Sequence, residues 1–423
     1  MQQVLKQIQG SSFIRHNAIF FLGTISIGVL NYLYYPILGR LLAPDSFGEV
    51  QTLFSLFAQI VIFLSVLGLV TINIVANYRD TSKGKLVILE LEKLSIWFSV
   101  ILLAGSVIAG GLLKHFFNFS SAIPFVILAL ALVASVPLTF RNAYLRGKQK
   151  FGLVAWIGIA SAAGDILFSV ILVAFHGGTA GAITGLVIAQ LVAFMVAAYA
   201  AHRHGFTEHV RRNLLRLPQL RLILPEIKYV LLVLIGSLGV TVFYSMDILL
   251  VKHYFNAQTA GLYAGISTVG RIIFFLTASI AQVLMPAVKL AASPTQNQQV
   301  LIKSLILLIA IGGLAWLVFA LAPRFVIRLL MGNKYLPYAN LLPRFSLSLL
   351  IVSIINLLVI YSIALRRYAV AVIVIIGLGT TFFLVSLHHG SLISVVNSLL
   401  LGSLSLLILL IGWMAVSKAR IYV

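Results

Sequence analysis

The chain has 423 residues, of which 61% are hydrophobic and only 9% charged, and its net charge is +21. A soluble domain carries about a quarter charged residues, so this chain lacks the polar surface to cover a water-soluble globule. The absence of cysteine excludes disulfides, thiolate nucleophiles and cysteine metal sites.

A membrane span needs about 20 apolar residues, and runs of that length recur from Asn17 to Val416. The first, 17–38, is full span length and lacks a small-residue cleavage site after a short apolar core. It is expected to be a retained span rather than a signal peptide. Further spans are predicted at 49–77, 91–113, 122–145, 152–175 and 180–201,. The second half follows with 227–251, 262–290, 300–322, 337–364, 369–387 and 392–415,. The expected fold is all-α integral membrane, with about twelve transmembrane helices. The runs 49–77 and 262–290 exceed one bilayer thickness and are expected to tilt or protrude,.

Basic residues alternate between the two sides of this topology. Lys83 and Lys85 follow the second span, Arg146, Lys148 and Lys150 the fourth, and Arg366 and Arg367 the tenth. Arg203, Arg211, Arg212, Arg216, Arg221 and Lys228 cluster after the sixth, and Lys418 and Arg420 end the chain. The opposite side holds Arg40, Lys114, Lys252, Arg324, Arg328 and Lys334. The positive-inside rule then places both termini in the cytoplasm. Topology explains most of the charge excess, and no loop is large enough for a nucleic-acid-binding domain.

The longest loop, 202–226, is basic and contains Pro218 and Pro225. It divides the chain into an N-terminal six-helix lobe, 1–201, and a C-terminal six-helix lobe, 227–423. The loop itself reads as a cytoplasmic linker held near anionic lipid. The halves resemble each other. Ala43-Pro44-Asp45-Ser46-Phe47-Gly48 matches Asn256-Ala257-Gln258-Thr259-Ala260-Gly261, a polar turn and Gly before a long apolar run. Tyr144-Leu145-Arg146 matches Ala364-Leu365-Arg366, and His176-Gly177-Gly178-Thr179 matches His388-His389-Gly390-Ser391. An even number of spans per half makes the repeats parallel, with a central cavity expected between two such bundles.

Ionisable groups inside spans are costly and are candidates for function. Asp165 falls in the fifth span, Asp247 in the seventh and Arg271 in the eighth; Arg141 and Arg344 lie near the ends of the fourth and tenth. Asp247 and Arg271 flank one outer hairpin at similar distances from its tip, so they can meet at one depth. Their equivalents in the first half are Tyr34 and Ala58, both uncharged. Two readings stand for the pair: a cation for an anionic substrate with a carboxylate that couples to an ion, or a buried pair pinning two helices. For Asp165 the options are ion coupling, a packing role or pairing with Arg141. Tyr32, Tyr34 and Tyr35 fit an aromatic belt. Gly68, Gly236 and Gly239 fit close helix packing or a hinge. No nucleotide-binding lysine loop, metal-ligand spacing or nucleophile motif occurs,. No catalytic residue, metal or cofactor is therefore expected, and the chain is not expected to be an enzyme.

The stretch Leu38-Gly39-Arg40-Leu41-Leu42-Ala43-Pro44-Asp45-Ser46-Phe47-Gly48 resembles the first hairpin of the polysaccharide flippase family, the O-antigen and teichoic type. That family sits in the superfamily of multidrug, oligosaccharidyl-lipid and polysaccharide exporters. Asp247 to Arg271, with Ala260-Gly261-Leu262-Tyr263, resembles the family's seventh and eighth spans, and Met285-Pro286 and Leu365-Arg366 fit as well. The resemblance implies two six-helix lobes around a central cavity. It also implies a substrate of oligosaccharide joined through pyrophosphate to undecaprenol, flipped to the outer leaflet of a cell inner membrane. A doubly charged pyrophosphate needs fixed cations in a low-dielectric path; Arg271 is the first expected, with Arg40 and Arg344 behind it. Asp247 and Asp165 are the expected ion-coupling sites. Expected partners are the polyprenyl-linked oligosaccharide, membrane lipid, and a polysaccharide polymerase and glycosyltransferases. An ion-coupled exporter of the same fold and a membrane glycosyltransferase or polymerase are the competing readings.

Overall fold

A computed structural model describes residues 12–78, 82–206, 227–288 and 293–419. Every regular element among them is helical. In lipid, backbone polar groups must be satisfied within the segment, which leaves the helix as the available form for these apolar runs. By length and composition, eleven helices among the described residues can cross a membrane. The helix Ser12–Leu41 additionally occupies the place of the predicted first span. The chain is a multi-pass membrane protein.

The first half contains α1 (Ser12–Leu41), α2 (Pro44–Tyr78), α3 (Ser82–Ile108), α4 (Gly110–Phe116), α5 (Ile123–Gly147), α6 (Phe151–Leu172) and α7 (Gly178–Arg203). A π-helical turn, Val173–Gly177, joins the last two. The second half contains α8 (Ile227–Tyr254), α9 (Ala257–Gly270), α10 (Ile272–Ala287), α11 (Pro294–Leu321), α12 (Pro323–Leu330), α13 (Leu342–Ala364), α14 (Ala369–Leu387) and α15 (Leu392–Ala419). Two spans differ from expectation. The predicted 91–113 span ends at Ile108, and α4 is a separate short helix beyond it. The predicted 262–290 span is hitched at Arg271, which separates α9 from α10.

Helix starts follow capping chemistry. Asn256 Oδ1 accepts from the Thr259 N–H at 2.8 Å and begins α9,. Ser293 and Gln296 form a reciprocal capping box before α11, with Pro294 in the first turn,.

The chain forms two compact units: Met1–Leu42 with Phe63–Pro225, and Ala43–Ile62 with Glu226–Val423. Residues 43–62, placed in the first lobe by sequence, therefore belong with the second unit, and α2 contributes to both. Close packing at the hairpin is the physical reason. A Cβ on Gly48 would meet Gly261 Cα at 2.8 Å, and one on Gly261 would collide with the Pro44 carbonyl. The two turns matched by sequence thus cross each other glycine to glycine. Gln59 Nε2 donates to Ser245 Oγ at 3.0 Å, adding a polar tie from the same stretch. Most of the predicted linker, 207–226, lies outside the described residues.

In the first unit, α7 packs on α5 and α6, and α6 on α1. In the second, α13 is central and touches α8, α9, α10, α11 and α15. Gly236 lies against Ile363 and Val359, and Gly239 against Val374, so both serve close helix contact,.

The repeat holds at the ends of α5 and α13, in a shifted register. Lys150 N–H donates to Leu145 O at 2.9 Å, and Arg367 N–H to Ser362 O at 2.9 Å. Gln149 and Arg366 occupy the matching left-handed positions, with φ 59 and 52. This is one helix-ending motif used twice. It pairs Arg366 with Gln149, three residues beyond the Arg146 that the sequence comparison aligned with it.

Candidate functional site

The second unit buries a charge cluster around Asp247 of α8 and Arg271 at the α9–α10 hitch. Asp247 lies seven residues before the end of α8 and Arg271 fourteen residues after the start of α9, so their backbone depths differ and the long Arg271 side chain spans the difference. Asp247 is 1% exposed and Arg271 8%. Arg271 Nη2 donates to Asp247 Oδ1 at 2.8 Å. Asp247 Oδ2 accepts from Ser267 Oγ at 2.5 Å and from Tyr263 OH at 3.1 Å. Arg271 Nε donates to the Tyr244 carbonyl at 3.1 Å, and Nη1 approaches Gln51 Oε1 at 3.5 Å. The Tyr244 ring stacks on Phe274 at 4.5 Å. A buried ion pair repays its desolvation only when further hydrogen bonds satisfy the remaining donors and lone pairs. Tyr263, Ser267, Tyr244 and Gln51 supply them here.

A second charged group lies beyond the hairpin side of this pair, and sequence reasoning missed it. Lys252, counted there as a charge of the outer side, is fully buried in the last turn of α8. The carboxylates of Glu49 and Asp45, in the first turns of α2, act on it electrostatically. Glu49 is buried and Asp45 exposed. The available signal was position: Lys252 directly continues the apolar run of its span.

In the first unit, the position equivalent to Asp247 is Tyr34, which is buried. Its hydroxyl lies 3.1 Å from Ser169 Oγ and donates to the Ala182 carbonyl at 3.3 Å. Asp165, one turn before Ser169 on α6, is close enough to act electrostatically on Tyr34. One Asp165 oxygen is buried without a hydrogen-bond partner among the described residues.

The suggested pairing of Asp165 with Arg141 is not formed. Arg141 instead binds both oxygens of Glu92, at 2.9 and 3.1 Å, and its guanidinium lies 4.2 Å from the centre of the Phe206 ring. Geometry explains the correction. Arg141 lies near the end of α5, where α3 begins its membrane-crossing stretch and brings Glu92 within reach. Glu90 and Lys93, also on α3, form a buried bridge of 2.8 Å. Replacing Glu92 with leucine is expected to cost about 3 kcal/mol, the low end for breaking one side of a buried pair, because Arg141 keeps its aromatic face. Thermal unfolding in detergent would measure it, and adding Arg141→Met should recover most of the loss.

Arg40 is exposed in the last turn of α1, in the first unit, and Arg344 is exposed in the first turn of α13. Of the five candidate residues, the fold brings together Asp247 and Arg271. Among the described residues no group of three His, Asp or Glu is placed to hold a metal ion.

A family model described as "Polysaccharide biosynthesis protein" matches residues 14–291. Among curated proteins, none matches this chain in sequence. Solved structures share the fold. An inward-facing multidrug resistance MATE family transporter of the MOP superfamily aligns with TM-score 0.69 and 15% identity, over 93% of this chain and 95% of that one. The lipid II flippase MurJ, in an inward closed conformation, aligns with TM-score 0.70 and 12% identity, over 94% and 87%. The MATE multidrug transporter DinF-BH aligns with TM-score 0.64 and 12% identity, over 96% and 95%.

Proposed function

This chain belongs to the polysaccharide biosynthesis protein family, and from that premise we propose that it flips undecaprenyl-pyrophosphate-linked oligosaccharide from the inner to the outer leaflet of a cell inner membrane by alternating access. It acts as a transporter, not an enzyme, and both termini lie in the cytoplasm. The observation that carries the proposal is the buried Arg271, hydrogen-bonded to a carboxylate and a carbonyl.

The mechanism follows from competition for that guanidinium. With Asp247 ionised, Arg271 is neutralised internally and has little attraction left for a phosphate. A proton or sodium ion taken up by Asp247 weakens the pair and frees Arg271 for the pyrophosphate, whose charge-assisted hydrogen bonds are the stronger type. Arg40 and Arg344 serve as weaker phosphate contacts on the substrate's path. Ion release returns Asp247 to Arg271 and displaces the substrate. Asp165, with its unpartnered oxygen, is a second ion-coupling group,.

Deletion of the gene is expected to abolish surface polysaccharide and to trap complete lipid-linked units in the inner leaflet. Complementation by the wild-type gene should reverse both. Asp247→Asn should alter the pH or sodium dependence of transport. Unchanged surface polymer with no trapped lipid-linked unit, in a strain without a redundant flippase, would instead favour an ion-coupled exporter of the same fold. Units that reach the outer leaflet but stay unpolymerised would favour a polymerase.

A further inference from the structure

The second unit carries a cavity of about 610 Å³ lined by Leu231, Leu232 and Ile235 of α8, with Tyr368 and Ala371 at the start of α14. Its size lies within the roughly 300–1,000 Å³ of small-molecule sites. Apart from the Tyr368 hydroxyl, the lining side chains are apolar. Leu231 is 45% exposed and Tyr368 49%. Leu231 opens one helix of span length and Tyr368 directly precedes another, so the groove lies at the membrane surface, where acyl chains and head groups are both within reach.

The residues beside the groove supply the head-group chemistry. Arg366 and Arg367 immediately precede Tyr368, on the membrane face that holds most of the chain's basic residues. Arg366 is exposed and adopts φ 52, the left-handed position of a helix-ending turn. Glycine is the usual occupant of that position, and a side chain there is strained. The matching position after α5 holds uncharged Gln149, so the turn itself does not require a cation. The chain carries no Asp or Glu after Asp247, so the whole segment that contains α14 is cationic by sequence. Asp247 is committed to Arg271. Asp45 and Glu49 lie with Lys252, at the far end of α8 from Leu231, and Glu226, which precedes α8 in sequence, lies outside the described residues.

We propose that this groove binds an anionic phospholipid, with an acyl chain between α8 and α14 and the phosphodiester on Arg366 and Arg367. A basic pocket between transmembrane helices is a recurrent way to hold such head groups. The site is independent of the Arg271 cluster and of the transport reading.

Native mass spectrometry of the full chain, extracted in mild detergent and titrated with phosphatidylglycerol or phosphatidylcholine, tests it. The wild type should retain phosphatidylglycerol at least tenfold better than phosphatidylcholine. Arg366→Gly combined with Arg367→Gln should lose that preference, and Leu232→Trp, which fills the groove, should lower retention of both lipids. Arg366→Gly places glycine where the backbone favours it, so loss of folding does not account for the result. Arg203→Gln removes a cytoplasmic-side cation elsewhere and should leave binding unchanged. Equal retention of the two lipids by the wild type would overturn the site. So would undiminished phosphatidylglycerol binding in the groove variants, or an equal loss in Arg203→Gln.

Discussion

Arg271→Ala is expected to abolish complementation of surface polysaccharide export and to cost about 3–5 kcal/mol of stability, because it leaves Asp247 charged, buried and short of its main partner,. A loss of export alone would not separate substrate binding from helix pinning, since both fail together. The double variant Arg271→Gln with Asp247→Asn separates them. It removes both charges at nearly constant volume and keeps amide groups able to reach Tyr263, Ser267 and Tyr244. Truncating one side of a buried pair is costly, whereas replacing the pair is often close to neutral. The double variant should therefore unfold within about 1–2 kcal/mol of the wild type and still fail to export. Thermal unfolding and surface polymer assays on the same preparations give both readouts. Full export by the double variant would assign the pair to architecture and remove Arg271 from the substrate path.

Gly261→Ala should have a comparably large effect for a steric reason. The new methyl group would overlap the Pro44 carbonyl and crowd the Asp45 N–H, which are backbone atoms at the start of α2 and have no rotamer to escape into. Overpacking typically costs about 1–3 kcal/mol, and an inflexible neighbour puts this case at or above the upper end. Gly313→Ala is the matched control, because nothing lies within 4 Å of a Cβ built there. Helix propensity favours alanine over glycine by about 1 kcal/mol, so Gly313→Ala should be neutral or stabilising. Detergent-solubilised yield and the midpoint of thermal unfolding would record the contrast. A wild-type midpoint for Gly261→Ala would mean that the helix crossing is looser than its geometry implies.

The membrane spans were legible because apolar runs of bilayer length have few alternative uses. The meeting of Asp247 and Arg271 was legible because both flank one short hairpin, although Arg271 stands seven residues farther from the turn than Asp247 and reaches back to it. The hydrogen bonds that complete the pair were not, since Tyr263 and Ser267 read as ordinary span residues until their rotation on α9 is known. Glu92 falls in the second position of the predicted span 91–113 and is not among the ionisable groups singled out from the sequence. In the structure Glu90 to Lys93 are buried, and Glu92 answers a cation 49 residues away. Composition registers such charges without revealing what faces them. The division of α2 was hidden for the same reason: an unbroken apolar run does not disclose which neighbour each turn will meet.

That division of α2 also bears on how the protein is made. Residues 43–62 leave the ribosome well before Gly261, the partner of Gly48, has been synthesised. About 200 residues separate them, and at roughly 5–20 residues per second this interval lasts about 10–40 s. During that time the leading half of α2 sits in the bilayer without its lasting neighbours, and its buried Glu49 awaits Lys252. The second unit is thus not a contiguous folding segment. Its assembly closes only when the newest helices return to one of the oldest, and a nascent chain released before α9 leaves that early helix unclaimed.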